Sequence, residues 1–317
     1  MRKDFTFTDF CKVGLHVINF LMLDILRKLD LDQEDALEET LIGARRKKAL
    51  KIDVYAEGTF KNSLYRYRNR RFSGIKIFGE ESLRDPGLDL SNESEIVALV
   101  DAVDGTDLLE RSLSNWCSAC LFFNPAGKSG EKILCSFVGL PSRKIYYAFA
   151  SSDAAYFKKG NQKDIPVAGT SGQKSLEKAS ICFYGQKITN FRSLVQSKLL
   201  DYISSLNEKQ VKKTNEEIGF RIYNLAGNPV MVKLVDHRIK DARGIDAVIE
   251  IKGQKPHDMA PGAYIALKGG AILKRLDGSK ITLEDLENAL LKPASQKLSY
   301  VLASTEELAD EIIDHLG

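Results

Sequence analysis

Ile96-Val97-Ala98-Leu99-Val100 is a continuous apolar run, rich in β-branched residues, that stops at Asp101. A run without polar alternation predicts a strand buried on both faces. Such strands belong to α/β sheets covered on each side, where ligands bind beyond the strand's carboxyl end. Asp101 stands at that end and Ala102-Val103-Asp104-Gly105-Thr106 follow it. Asp101 and Asp104 are three apart, so a turn can aim both at one point, with the Val103 carbonyl between them. Two carboxylates and a carbonyl are hard oxygen donors suited to Mg²⁺. Gly105-Thr106 leads into Asp107-Leu108-Leu109-Glu110-Arg111, which reads as the first turns of a helix whose free amides face an anion such as phosphate. Phosphoryl transfer needs a cation site beside an anion cradle. Taken alone, the segment reads equally well as a helix start, with Asp104 as its cap and Asp101 as a surface charge.

The rest of the chain supplies the frame. At 317 residues, one large or two smaller domains are expected. The Gly-, Lys- and Ser-rich stretch Lys158 to Ser175 marks a boundary. It separates an N-terminal α+β domain (1–165) from a C-terminal α/β domain (166–317). Val13, Val17, Ile18, Leu21, Met22, Ile25 and Leu29 recur at helical spacing. Gln33 to Leu50 reads as a second helix, making an opening pair. Lys76-Ile77-Phe78 reads as a strand and Glu80 to Glu95 as a loop. Cys117–Phe123, Ile133–Leu140 and Lys144–Ala150 read as an antiparallel meander. Strands over Ser180–Tyr184 and Ala247–Ile251 then alternate with helices over Phe191–Leu206 and Met259–Leu267.

Composition excludes several classes. The formal net charge is only +3, so no strong field commits the chain to nucleic acid or membrane. The most apolar stretch, Phe10 to Leu29, carries Lys12, His16, Asp24, Arg27 and Lys28 and is too polar to span a bilayer. Five scattered cysteines argue for reduced thiols in a cytoplasmic compartment. Cys117-Ser118-Ala119-Cys120 is a C-x-x-C, but it sits in a strand, where residues three apart face opposite ways. Trp116, before it, reads as packing. Arg45–Lys48 and Arg66–Arg71 are basic clusters, taken as solvated helix faces. A regulatory or RNA-binding protein with little catalysis is the alternative they motivate.

Two further acidic elements bear on Asp101 and Asp104. Gly79-Glu80-Glu81-Ser82 follows an apolar strand, and adjacent glutamates on a loop are usually solvated. His257-Asp258-Met259-Ala260-Pro261-Gly262 opens an apolar helix, where an Asp is ordinarily an N-cap. His257 either packs or orients a ligand, and packing is preferred.

In this order, the three elements resemble the inositol monophosphatase family. Its patterns are G-E-E, then D-P-I-D-G-T, then W-D-x-A-A-G. Gly269-Gly270 and Asp277-Gly278 are similar to its tail. This lithium-sensitive, Mg²⁺-dependent superfamily also holds fructose-1,6-bisphosphatases and phosphoadenosine-phosphate phosphatases. The resemblance implies a layered αβαβα sandwich, a homodimer, and hydrolysis of a small sugar or polyol phosphate by a metal-activated water. Fructose bisphosphate and nucleotide 3′-phosphates are the alternative substrates.

By the same resemblance, Glu80, Asp101 and the Val103 carbonyl hold a first Mg²⁺, and Asp101, Asp104 and Asp258 a second. Glu80 and Thr106 orient and deprotonate the water, with Asp101 counted beside them as catalytic. The Gly105 and Thr106 amides hold phosphate, and Glu250 contacts the substrate. Three departures stand out. Ala102, His257 and Pro261 replace Pro, Trp and Ala of the pattern. The segment Arg221 to Val232 lacks the G-S-A-A wording. The D-x-x-T-x-x-D element reads Asp53-Val54-Tyr55-Ala56-Glu57-Gly58-Thr59. Asp53 is kept there, but a third metal lacks its carboxylate unless a residue such as Glu57 supplies one.

Overall fold

A computed structural model of the chain describes residues 7–42, 47–66, 74–225, 227–237, 244–294 and 296–317. The basic clusters Arg45–Lys48 and Arg66–Arg71 fall largely outside them.

The chain opens with α1 (Phe7–Leu31), whose Val13, Val17, Ile18, Leu21, Met22 and Ile25 are buried as their spacing requires. The helix expected over Gln33–Leu50 does not form. That segment makes one turn, α2 (Gln33–Ala36), then an antiparallel hairpin of β1 (Glu39–Ile42) and β2 (Lys47–Leu50). Its apolar residues Leu37, Leu41 and Ile42 do not sustain a 3.6-residue face, and Thr40-Leu41-Ile42 favours a strand. The helix that pairs with α1 is α3 (Lys51–Arg66), which buries Ile52, Ala56, Phe60 and Leu64.

A seven-stranded sheet follows. It contains β3 (Lys76–Phe78), β4 (Val97–Asp104), β5 (Cys117–Phe123), β6 (Ile133–Gly139), β7 (Lys144–Phe149), β8 (Ala155–Lys159) and β9 (Ile165–Pro166), in that spatial order. Only β3 and β4 run parallel, and the rest form the meander expected from the sequence. Two short helices interrupt it. One is α4 (Glu80–Leu83), where a loop is expected, and the other is α5 (Thr106–Glu110). Strand β4 also continues past Val100 to Asp104.

The remainder builds a mixed five-stranded sheet in the order β11-β10-β12-β14-β13. In chain order its elements are β10 (Ser180–Phe183), α6 (Ile188–Val195), α7 (Leu199–Thr214), β11 (Arg221–Tyr223), α8 (Asn228–Leu234), β12 (Ala247–Gln254), α9 (Pro256–Lys268), β13 (Ile272–Arg275), α10 (Leu283–Leu290), β14 (Leu298–Ala303) and α11 (Glu306–Leu316).

Three apolar clusters order the layers. Helices α1 and α3 cover one face of the large sheet through Ala98, Val100, Phe122 and Phe137. Helices α8, α9 and α10 lie between the sheets, against Leu99, Leu121 and Val138 on one side and Val248, Leu273 and Leu302 on the other. Helices α6, α7 and α11 close the far face through Leu194, Ile203 and Ile312. The result is an αβαβα sandwich. Cys117 and Cys120 fall in clusters on opposite faces of the large sheet, and all five cysteines are buried and free. Among the described residues no helix is long and apolar enough to cross a membrane.

Helix α10 starts with a reciprocal cap. Thr282 Oγ1 accepts from the Asp285 N–H at 3.1 Å, and Asp285 Oδ2 accepts from the Thr282 N–H at 2.8 Å. Thr282→Ala should cost about 1 kcal/mol in chemical denaturation. No loss of stability would contradict that role.

Candidate metal and phosphate site

Strands β3 and β4 are parallel neighbours, so their carboxyl ends open on the same side. Glu80 follows β3 as the first residue of α4, while Asp101 and Asp104 lie on β4 itself. The sequence suggests a turn between the two aspartates; instead the strand bulges. Asp101 pairs with Ala119 and Asp104 with Cys117, so one strand spends an extra residue between the two pairs. Residues three apart on a regular strand face opposite ways, and the extra residue cancels that alternation. Both aspartates therefore line one pocket. Side chains take up the carbonyls of the bulge: Ser118 Oγ donates to Ala102 O at 2.7 Å and Thr106 Oγ1 lies 2.9 Å from Val103 O.

Gly105 then turns the chain into α5 at φ +93°. A Cβ there would lie 3.3 Å from Asn115 O and from Trp116 Cα, so both conformation and space call for glycine. Trp116 is buried, as packing requires. The first amides of α5 have no acceptor inside that helix.

The pocket measures about 660 Å³ and takes in Asp53, Glu80, Asp101, Asp104, Thr106 and Asp258. Asp258 comes from the central layer, in the first turn of α9. Its ordinary role as N-cap is not the one it plays, because Lys255 holds that position. Beside it, His257 is buried, with Nδ1 2.8 Å from Pro293 O. His257 Nε2 lies 2.9 Å from Asp258 Oδ1, at ion-pair distance but not aligned as a hydrogen bond. The residue thus both packs and adjoins the carboxylate.

Asn228 joins the two halves of the site. It is fully buried. Its Nδ2 donates to Asp104 Oδ2 at 2.9 Å and to Asp258 O at 2.8 Å, and its Oδ1 accepts from the Gly262 N–H at 2.6 Å. Gly227, at φ +85°, allows this approach, since a Cβ there would come within 3.3 Å of Asp104 Oδ2. Sequence reading registered this segment only as a missing G-S-A-A.

Asp53 matches the first Asp of the family's D-x-x-T-x-x-D pattern, which gave it no task. It accepts from Thr106 Oγ1 at 2.9 Å and from the Leu50 N–H at 3.2 Å. The rest of that motif has other partners, although the Glu57 carboxylate lies against Gly79, the residue before Glu80. Thr59 Oγ1 donates to Asp24 Oδ2 at 3.0 Å, and Glu57 Oε1 pairs with Lys61 at 2.5 Å. Glu57 is not among the pocket residues.

Glu250 does line the pocket, yet it is almost wholly buried, and its Oε1 accepts from the Lys252 and Gly253 N–H groups at 2.8 and 2.9 Å. That turn coincides with a shift of register in β12.

The electrostatics express crowding. Burial raises Asp101 well above the carboxylate range, and Asp104, Glu80 and Asp258 push it further. Burial lifts Glu80 to about 7 against the pull of Arg84, and lifts Asp104 to about 6 against the Asn228 hydrogen bonds. Burial raises Asp53 too, opposed by Thr106. Asp258 moves the other way, because His257, Arg84 and Lys255 outweigh its burial.

Among the described residues no three His, Cys, Asp or Glu side chains are already grouped to hold a metal ion. Glu80 is turned to Arg84, Asp104 to Asn228, Asp258 to His257 and Asp53 to Thr106. The donor chemistry nevertheless fits a hard divalent cation: the ligating atoms are oxygens, the carboxylates share one pocket, and their mutual repulsion is what such a cation relieves.

No model of a known family matches the chain, and no curated protein sequence does. Solved structures do match. An extragenic suppressor protein suhB from Bartonella henselae superposes with a TM-score of 0.64 at 16% identity, over 97% of this chain and 98% of that one. An IMPase from Thermotoga maritima gives 0.63 at 15%, over 97% and 96%. A Ca-bound IMPase family protein from Staphylococcus aureus gives 0.61 at 18%, over 98% and 95%. The chain has the fold of the inositol monophosphatases along nearly its whole length.

Proposed function

We propose that the protein is a Mg²⁺-dependent phosphomonoesterase acting on a small sugar or polyol phosphate. The observation that carries this reading is the convergence of Glu80, Asp101, Asp104 and Asp258, from three separate elements, on one pocket beside Thr106 and Asp53. The shared fold and a Ca-bound relative support it.

Two Mg²⁺ ions, one at Glu80, Asp101 and the Val103 carbonyl and one at Asp101, Asp104 and Asp258, would supply positive charge to the phosphoryl oxygens. The chain's own groups do the rest. The Thr106 hydroxyl points its hydrogen at Asp53 Oδ1 or Val103 O, which leaves an oxygen lone pair for a water's proton. Asp53, with its raised pKa, can take the hydroxyl proton in turn. Glu80, in the same pocket, would be the second group to hold that water. The amides of Gly105 and Thr106 bind the phosphate at the start of α5.

Lys187, Lys252, Lys255 and Lys297 also line the pocket, and none is in an ion pair among the described residues. They favour the second reading, a substrate with another anionic group, such as a sugar or nucleotide bisphosphate. Phosphate release from a panel of mono- and bisphosphates, with Mg²⁺ and with chelator, tests both. Turnover that needs Mg²⁺ is expected. Lys255→Ala and Lys297→Ala should each raise KM for a bisphosphate about tenfold while leaving kcat for a monophosphate intact. No release from any ester at millimolar Mg²⁺ would sink the enzyme reading.

A further inference from the structure

Two departures from the family pattern meet beside Asp258. Asn228 lies in the segment without the G-S-A-A wording, and Pro261 stands where the pattern has Ala. Both bear on the first turns of α9, which carry Asp258. In a regular helix the His257 carbonyl would accept from the N–H of residue 261, and the Asp258 carbonyl from that of residue 262. Pro261 has no N–H to give. The Asn228 carboxamide reaches both members of the next pair: Nδ2 donates to Asp258 O, and Oδ1 accepts from the Gly262 N–H. Glycine at 262 makes the room, since a Cβ there would lie 2.7 Å from Asn228 Oδ1 and 2.9 Å from Asn228 Cα.

These partners fix which way the amide points. The Gly262 N–H can meet only its oxygen, so Nδ2 faces two acceptors, Asp258 O and Asp104 Oδ2. The Asn228 backbone N–H reaches the same Asp104 oxygen at 3.3 Å, and Cys117 Sγ lies 3.6 Å from it. Among the described residues, the hydrogen bonds that the Asp104 carboxylate receives all fall on Oδ2. Oδ1 is left without a donor, as the oxygen that can turn to a cation.

We propose that Asn228 is a positioning residue: its buried carboxamide locks the Asp104 carboxylate to the turn of α9 that carries Asp258, and so presets this pair for one divalent ion. The proposal rests on the metal-dependent reading above. Asp104 and Asp258 come from a strand of the large sheet and a helix of the central layer, and like charges drive them apart. Without the clamp, an arriving ion must itself draw the two together, which weakens its binding.

The test is Mg²⁺ binding by isothermal titration calorimetry, which does not depend on turnover. Wild type is compared with Asn228→Ala, Asn228→Ser, Ser136→Ala and Asp104→Asn, with metal-free thermal melts as fold controls. Serine at 228 offers one hydroxyl in place of the whole amide. Ser136 controls for packing, because its buried hydroxyl holds the same helix from β6, donating to Pro261 O at 2.9 Å. Both Asn228 variants should weaken Mg²⁺ binding about 10- to 100-fold, the size usual for a group that orients a metal ligand. Ser136→Ala should lower the melting temperature and leave Mg²⁺ affinity unchanged. If the Asn228 variants bind Mg²⁺ as wild type does while Asp104→Asn weakens binding, the metal site stands and the positioning role is overturned. It is overturned equally if Ser136→Ala weakens binding as much as Asn228→Ala, or if neither Asn228 variant folds, since Asn228 is then a structural tie. If wild type binds no Mg²⁺, the metal-dependent reading falls and takes this proposal with it.

Discussion

Asp104→Asn should lower kcat/KM by about 10³-fold, close to 4 kcal/mol of transition-state stabilisation, while leaving the fold intact. The carboxylate has no substitute at its position. It lies on the far side of the β4 bulge from Asp101, and the bulge is what brings the two to one pocket. Asparagine keeps the shape and an oxygen that can still accept from Asn228. What it loses is the negative charge, and it directs an amide N–H₂ where a cation would be held. Stability should respond oppositely. Burial and Asp258 both work against the charged form of Asp104, so removing that charge relieves repulsion in the metal-free protein. The metal-free melting temperature of Asp104→Asn is therefore expected to match or exceed that of wild type. Retained activity, or a collapse of the fold, would remove Asp104 from the site. Measuring phosphate release and thermal melting on one preparation separates these outcomes.

Much of the site could be read from the chain, because its chemistry is local. The run from Ile96 to Val100 announces a buried strand, and acidic residues follow it at once. Glu80 and Asp258, which alone read as a solvated loop charge and a helix cap, joined the site only through the family resemblance. What could not be read was geometry that depends on partners. The bulge between Asp101 and Asp104 exists only against β5, where one strand counts three steps and the other two. Asn228 looked like a departure from a motif, and its hydrogen bonds to Asp104, Asp258 and Gly262 appear only once α8 packs on α9. Arg84, inside the stretch read as a loop, lines the pocket only because that stretch turns into α4. The misread stretch from Gln33 to Leu50 has a related cause. Its charges resemble an amphipathic helix, but the hairpin is fixed by pairing of Glu39 with Leu50 and Thr40 with Ala49, contacts no single-strand pattern contains. The αβαβα layer order was implied only by the family resemblance, and the three apolar clusters bear it out.

Glu287→Ala should be among the most destabilising single changes in the chain, at about 3–4 kcal/mol. Glu287 lies on α10 with no exposed surface. Its two oxygens accept from the Gly130 N–H at 2.7 Å and the Ile133 N–H at 3.1 Å, on the connection from β5 into β6. One side chain thus ties the central helical layer to the turn of the large sheet. Truncation leaves two backbone donors without their acceptor, and each such loss costs about 1–3 kcal/mol, before the cavity is counted. Glu287→Gln should cost less, since its carbonyl can still serve one donor. The pH dependence has a definite sign. Burial raises the pKa of Glu287 above its ordinary value, against the pull of the Ile133 and Gly130 amides. The folded protein then holds this proton more tightly than the unfolded chain. The residue's contribution is greatest below the ordinary glutamate range and diminishes as pH rises through its raised pKa. Denaturation at several pH values should show that slope in wild type and its loss in Glu287→Gln. A Glu287→Ala protein as stable as wild type would mean that the two layers hold together without this tie, through the apolar contacts of Leu286 and Leu290 alone.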